Sequence, residues 1–189
     1  MHVLGFAGSL RRDSHNRKLL AAASHLACDG VTFAVWPRLA QLPHYNEDLD
    51  GIEPPPAATR LRQDIAAADA LLFATPEYNS SLPGGLKNAL DWASRPYEAN
   101  VLRHKPCAVV GASAGFFGAV WAQAELRQVL RSCGSLVLDR QLPVGRAFEA
   151  FGPDGSLADP ALGTALAEIV HDLVRLASRE GSGALRAVA

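Results

Sequence analysis

His2-Val3-Leu4-Gly5-Phe6, running into Gly8-Ser9-Leu10-Arg11-Arg12-Asp13-Ser14-His15-Asn16, is a short apolar strand that opens into a polar, glycine-led loop and then a helical pattern. The arrangement returns further on. Ala70-Leu71-Leu72-Phe73-Ala74 leads into Thr75-Pro76-Glu77-Tyr78-Asn79-Ser80-Ser81-Leu82-Pro83-Gly84-Gly85, and a second helical pattern follows. A strand that is apolar throughout, rather than at alternate positions, is one covered on both faces, as in a parallel sheet between helix layers. The loops at the carboxyl ends of such strands are where an open α/β sheet binds ligands.

Outward from these two units the same alternation fills the chain. Further strands are expected at 31–35, 107–112 and about 135–138. Helices are expected at 16–28, 57–68, about 85–94, 119–133 and 160–178, each with apolar residues at helical spacing. Leu126, Val129, Leu130 and Cys133 make one such stripe, and Leu162, Leu166, Ile169, Val170, Leu173 and Ala177 another. Asp159 is placed to cap the last helix and Pro160 to open it. Five strands alternating with helices predict one three-layer α/β domain over 1–180. The tail 181–189 is expected to fray. Segment 139–157 shows no periodicity and has no assigned role.

The bulk composition narrows the function. The 189 residues suffice for one domain with a sizeable core. A formal net charge of −1 offers no polycationic field for nucleic acid or an anionic membrane. No apolar run reaches the ~20 residues of a membrane span, and the first residues go straight into a strand, so a soluble cytoplasmic protein is expected. Cys28, Cys107 and Cys133 are too scattered for a disulfide framework or a zinc site, and each is expected to be a small buried hydrophobe.

The first loop carries an anion-binding inventory: hydroxyls at Ser9 and Ser14, an amide at Asn16, guanidinium groups at Arg11 and Arg12, and Gly8 for close backbone approach. Ser14 to Asn16 open the next helix, whose unpaired N–H groups and positive dipole end favour a phosphate ester. The segment is neither G-x-G-x-x-G nor a loop ending in Gly-Lys-Ser/Thr, so dinucleotide and nucleoside-triphosphate loops are disfavoured. A capped loop with solvated arginines fits the same residues. In the second loop Pro76 removes a donor, Tyr78 offers an aromatic surface, and Asn79 offers both donor and acceptor, which suits the row of polar atoms on an isoalloxazine edge. Pro83-Gly84 reads as a turn. Glu77, Lys87 and Asp91 also fit a solvated, salt-bridged surface, Trp92 a core or interface aromatic, and Tyr45-Asn46 a simple turn. A third loop, Gly111-Ala112-Ser113-Ala114-Gly115-Phe116-Phe117-Gly118, is small enough to approach a ring. In a flavodoxin-like strand order the loops after strands 1, 3 and 4 meet at one crevice.

Two motifs carry a family likeness. Gly8-Ser9-Leu10-Arg11 with Ser14, Asn16 and Leu19, and Pro76-Glu77-Tyr78-Asn79-Ser80-Ser81-Leu82-Pro83-Gly84-Gly85-Leu86-Lys87-Asn88-Ala89-Leu90-Asp91-Trp92, resemble the phosphate and ring segments of the NAD(P)H-dependent FMN reductases, the flavodoxin-like group that includes quinone, chromate and azo-dye reductases. The likeness covers about residues 1–135. It implies a five-stranded parallel sheet in order 2-1-3-4-5 and non-covalent FMN, with Ser9, Arg11, Ser14 and Asn16 on the phosphate. Pro76, Glu77, Tyr78 and Asn79 would line the ring, with Ser113 on its far edge. It implies a ping-pong exchange in which NADPH or NADH delivers hydride to flavin N5 and leaves, and an acceptor such as a quinone takes its place. No protein nucleophile, metal or histidine acid is required, His15 and His44 included. A homodimer or homotetramer is implied, with the helix at 86–94 and Trp92 near the interface. Trp121 stands where the family often has arginine. A flavodoxin-like electron carrier or a non-catalytic FMN-binding domain is the alternative; the near-neutral charge and basic first loop speak against the carrier.

Overall fold

A computed structural model describes residues 1–187. Its sheet contains β1 (His2–Ala7), β2 (Thr32–Val35), β3 (Ala70–Thr75), β4 (Pro106–Ala112), β5 (Leu136–Val137) and β6 (Pro143–Val144). All pairings are parallel and the order is β2-β1-β3-β4-β5, as the flavodoxin-like reading expects. The helices are α1 (His15–His25), α2 (Pro56–Ala67), α3 (Gly84–Ala93), α4 (Val120–Ser132) and α5 (Pro160–Ala187). Of the expected tail 181–189, the backbone to Ala187 belongs to α5, and 188–189 lie outside the described residues.

The continuous apolar strands are buried on both faces. β3 and β4 are buried at every position. Successive side chains alternate between faces, so Leu71 and Phe73 join the core under α2, α3 and α4, with Phe6, Leu61, Ile65, Leu86, Trp92 and Leu126. Leu72 and Ala74 join the core under α1 and α5, with Leu19, Leu20, Val110, Leu166 and Leu173. Each large aliphatic side chain so buried contributes about 1.5–3 kcal/mol relative to exposure. Asp159 caps α5 as expected: its carboxylate accepts the Ala161 N–H at 2.8 Å.

Four expectations need correction. The fifth strand position is filled by two short segments, because both β5 and β6 pair with β4, against Pro106–Cys107 and Gly111–Ala112 respectively. Segment 139–157 therefore has a role: it supplies β6 and backs the third loop. The Ser113 N–H donates to Val144 O, Arg146 N–H to Gly115 O and Ala147 N–H to Ser113 O. Pro83-Gly84 is not a turn but the start of α3, with Pro83 as N-cap; a residue without an N–H suits a helix start, where that donor has no partner. Cys28, past the end of α1, is exposed, whereas Cys107 is buried and Cys133 half-buried. Of the two readings of Trp92 the core one holds: it is fully buried within the single chain, with its indole N–H donated to Pro43 O at 2.8 Å.

The plainer readings hold at two other places. Lys87 and Asp91 pair along α3 at 2.6 Å. Asn46 caps a 3-10 turn by accepting the Asp48 N–H, while Tyr45 packs edge-on against Trp92.

Candidate cofactor site at the carboxyl ends of the strands

The loops after β1, β3 and β4 meet over the carboxyl ends of their strands. They enclose a cavity of about 380 Å³ lined by Ser9, Arg11, Ser14, His15, Asn16, Pro76, Glu77, Tyr78, Ala112, Ser113 and Ala114. Eight of the nine residues predicted from the sequence are in this wall, which therefore unites three stretches far apart in the chain. A groove of about 420 Å³ lies beyond the other end of α1, beside Cys28 and α5. There Arg140 is already paired with Glu168 and Asp172, so it presents no comparable set of free donors.

Each wall has a local cause. Gly8 lets the first loop close on the second: a Cβ there would stand 3.0 Å from the Pro76 ring and 3.1 Å from Leu86. Ser14 is the N-cap of α1, with extended backbone and its Oγ accepting the Arg17 N–H at 3.3 Å. Its hydroxyl hydrogen and the N–H groups of His15 and Asn16, the first two residues of α1, remain for an anion. The Arg11 guanidinium donates once, to Asp13 O at 2.9 Å, and is otherwise exposed along the wall. Arg12 is exposed and does not line the cavity.

Asn16 is committed elsewhere. Its Nδ2 donates to Ala112 O and its Oδ1 accepts the Ala112 N–H, both at 2.9 Å and both buried. The carboxamide thus bolts α1 to the end of β4, and what it offers the cavity is backbone.

In the second loop, Tyr78 and Ser81 exchange two backbone hydrogen bonds around Asn79 and Ser80, whose φ values are 53° and 62°. Asn is one of the few residues that enters this left-handed region readily. Asn79 sits at the tip of the turn, outside the cavity wall, while Tyr78 stands half exposed at its rim. The Glu77 carboxylate turns toward α4, where it accepts two backbone N–H groups, from Trp121 and Ala122.

His15, which the sequence offers only as an unneeded acid, lines the wall. Its Nδ1 is buried without a hydrogen-bond partner. Burial, then the charges of Arg11 and Lys18, hold its pKa below the usual value. An uncompensated buried nitrogen among cationic groups suits a site that receives an anion. The donor set and this orphaned atom fit the phosphate of FMN, and the part of the cavity beside Pro76 and Tyr78 is where its ring would lie.

An open parallel sheet in this order, with a cavity where the loops after β1, β3 and β4 meet the N-terminus of α1, is the architecture of a flavodoxin-like protein. Residues 1–149 match the family model described as NADPH-dependent FMN reductase, and the chain belongs to that family. It is 46% identical over 158 residues to an NAD(P)H-dependent FMN reductase of Pseudomonas aeruginosa, covering 83% of this chain and 84% of that one. It is 42% identical to a quinone reductase of Pseudomonas putida, covering 80% of this chain and 82% of that one. Among solved structures, it is similar to the flavoenzyme NAD(P)H:(acceptor) oxidoreductase FerB of Paracoccus denitrificans, with a TM-score of 0.83 and 39% identity over 94% of this chain and 97% of that one. The protein is an FMN-dependent oxidoreductase that draws on NAD(P)H. No helix among the described residues is long and apolar enough to cross a membrane.

Proposed function

We propose that this enzyme reduces quinones by two electrons at the cavity formed by the loops after β1, β3 and β4. The single observation that carries the reading is the convergence of Ser9, Arg11, Ser14, Pro76, Tyr78 and Ser113 on one wall. Ser9, Ser14, Arg11 and the first turn of α1 hold the FMN phosphate. Pro76 and Tyr78 would border its ring with only the backbone of Glu77 between them, Asn79 would shape the turn that presents them, and Ser113 would stand at the far edge. Asn16 serves the phosphate through its backbone and through its grip on Ala112. FMN, when bound, supplies hydride acceptance at N5 and return of two electrons. The chain's own task is to bind and orient, and backbone N–H groups of the loops would stabilise the negative charge that grows on the polar ring edge on reduction. Tyr78 is half exposed at the rim, where a nicotinamide and then an acceptor would enter.

Support for a quinone as acceptor comes from the relatives named for that activity. The enzyme works as a homodimer or homotetramer in the cytoplasm, where NAD(P)H is available, and needs neither nucleic acid nor a membrane.

The test is optical. Purified protein is mixed with FMN, desalted, and titrated anaerobically with NADPH, then NADH, before a benzoquinone is added. Retained flavin bands that bleach with a nicotinamide nucleotide and return with the quinone are expected. Retained bands that neither nucleotide bleaches would refute the reductase cycle, and absence of retained flavin would refute the site.

A further inference from the structure

The N-terminus of α4 has no cap of its own. The helix follows Gly118 and Ala119, both in the left-handed region at φ 59° and 61°, and Ala119 has no side chain that could accept a hydrogen bond. The second and third helical residues, Trp121 and Ala122, carry the N–H groups that an N-cap oxygen ordinarily satisfies. Here the acceptor comes from a segment more than forty residues upstream. Oε2 of Glu77 takes both N–H groups, at 3.0 Å from Trp121 and 3.1 Å from Ala122.

The contact has a counterpart. Glu125, one turn further along α4, accepts the backbone N–H of Leu82 at 3.2 Å. Residues 77 and 82 flank the two-residue turn at Asn79-Ser80, so both shoulders of the ring loop are tied to one helix by a carboxylate. The same helix start is tied to the third loop and to the sheet. Gln123, fully buried, donates to Gly118 O at 3.0 Å and accepts the Leu142 N–H at 3.1 Å. The ring loop and the third loop therefore share one anchor, the first turn of α4.

We propose that Glu77 is a positioning residue: by capping α4 from the ring loop it sets the spacing between the Pro76–Tyr78 wall and the Ser113–Gly118 loop, and so the width of the slot for the flavin ring. The carboxylate acts through the backbone of Trp121 and Ala122, not on the ring. Its negative charge at the positive end of the helix adds to the hydrogen bonds. The consequence for FMN rests on the cofactor-site reading above; the cap itself does not.

Three variants separate reach, charge and acceptor. Glu77→Gln keeps an oxygen at the same distance, Glu77→Asp keeps the charge but is one methylene short, and Glu77→Ala removes both. In flavin-free protein, amide hydrogen exchange over 120–123 should be roughly 3- to 30-fold faster in E77A and E77D than in wild type, the range expected for a lost cap, and within about twofold in E77Q. FMN dissociation constants, followed by flavin fluorescence, should rise about tenfold in E77A and E77D and be restored to within about threefold in E77Q. Unchanged exchange in both E77A and E77D would overturn the cap. Faster exchange with unaltered FMN affinity would overturn its positioning role, and an E77Q protein as weak as E77A would show that charge or direct contact is responsible instead. Should E77A not fold, E77D and E77Q carry the same comparison. If wild-type protein binds no FMN, the site reading fails and the positioning role with it, while exchange in the flavin-free proteins still scores the cap.

Discussion

The Asn16 carboxamide and the backbone N–H and C=O of Ala112 are joined by two buried hydrogen bonds of 2.9 Å, one in each direction. This pair locks the start of α1 to the end of β4 across 96 residues of chain. Asn16→Ala would leave a buried N–H and C=O without partners, a cost of about 1–3 kcal/mol each. A fall in denaturation midpoint is expected together with weaker FMN binding, because the helix start that receives the phosphate loses its anchor. Chemical denaturation of the flavin-free protein measures the first effect. An Asn16→Ala protein as stable as wild type would remove the anchoring role.

Arg11 is expected to contribute through its charge. Its guanidinium donates once within the chain and otherwise stands free along the cavity wall. A charge-assisted contact to phosphate is worth ~1.5–3 kcal/mol, so Arg11→Ala should weaken FMN by ~10- to 150-fold. Riboflavin, which lacks the phosphate, should lose much less. Equal losses for the two flavins would show that Arg11 acts on something other than the phosphate.

His15 should titrate below its ordinary value of 6.5, through burial first and then the positive charges of Arg11 and Lys18. The folded protein thus favours the neutral ring. The stability this brings is complete above the unfolded pKa and is lost as pH falls through the lowered folded value. Arg11→Ala removes one cause and should move the midpoint upward. Inorganic phosphate should also move it upward, by placing negative charge beside the orphaned Nδ1. Proton NMR of the imidazole against pH reads all three, and a midpoint at or above 6.5 in the flavin-free protein would contradict them.

The three cysteines should react in a fixed order. Cys28 is exposed. Cys133 is half-buried, with its pKa raised chiefly by burial, and Cys107 is fully buried with its thiol pushed up to about 12. The thiolate is the nucleophile. A disulfide reagent at pH 8 is therefore expected to modify Cys28 fast, Cys133 slowly and Cys107 only on unfolding. Mass spectrometry of quenched samples distinguishes the sites, and early labelling of Cys107 would show that the β4 core opens readily.

Much of this was legible in the chain because it is local. Leu71, Leu72 and Phe73 are apolar in succession because both faces of β3 are covered, and that run alone separates a central parallel strand from an alternating one. Ser14 and Asp159 announce helix starts because a cap is satisfied within three residues. The cavity wall was legible for a different reason: strand order brings the loops after β1, β3 and β4 together, so their polar residues needed only to be read in that order.

The roles of particular side chains were not legible. Asn16 reads as a phosphate ligand until Ala112 is seen to take both ends of its amide. Glu77 reads as a ring residue or a surface charge until α4 is found starting from an alanine with nothing to cap it. Segment 139–157 shows no pattern because β6 is two residues long and is held by pairing with β4 rather than by any periodicity of its own. From the sequence alone came the layers, the strand order and the identity of the loops, since these follow from short-range periodicity and from the family motifs. Only the tertiary structure decided which polar atoms are already paired, because a hydrogen-bonding group is free or committed according to partners forty to a hundred residues away.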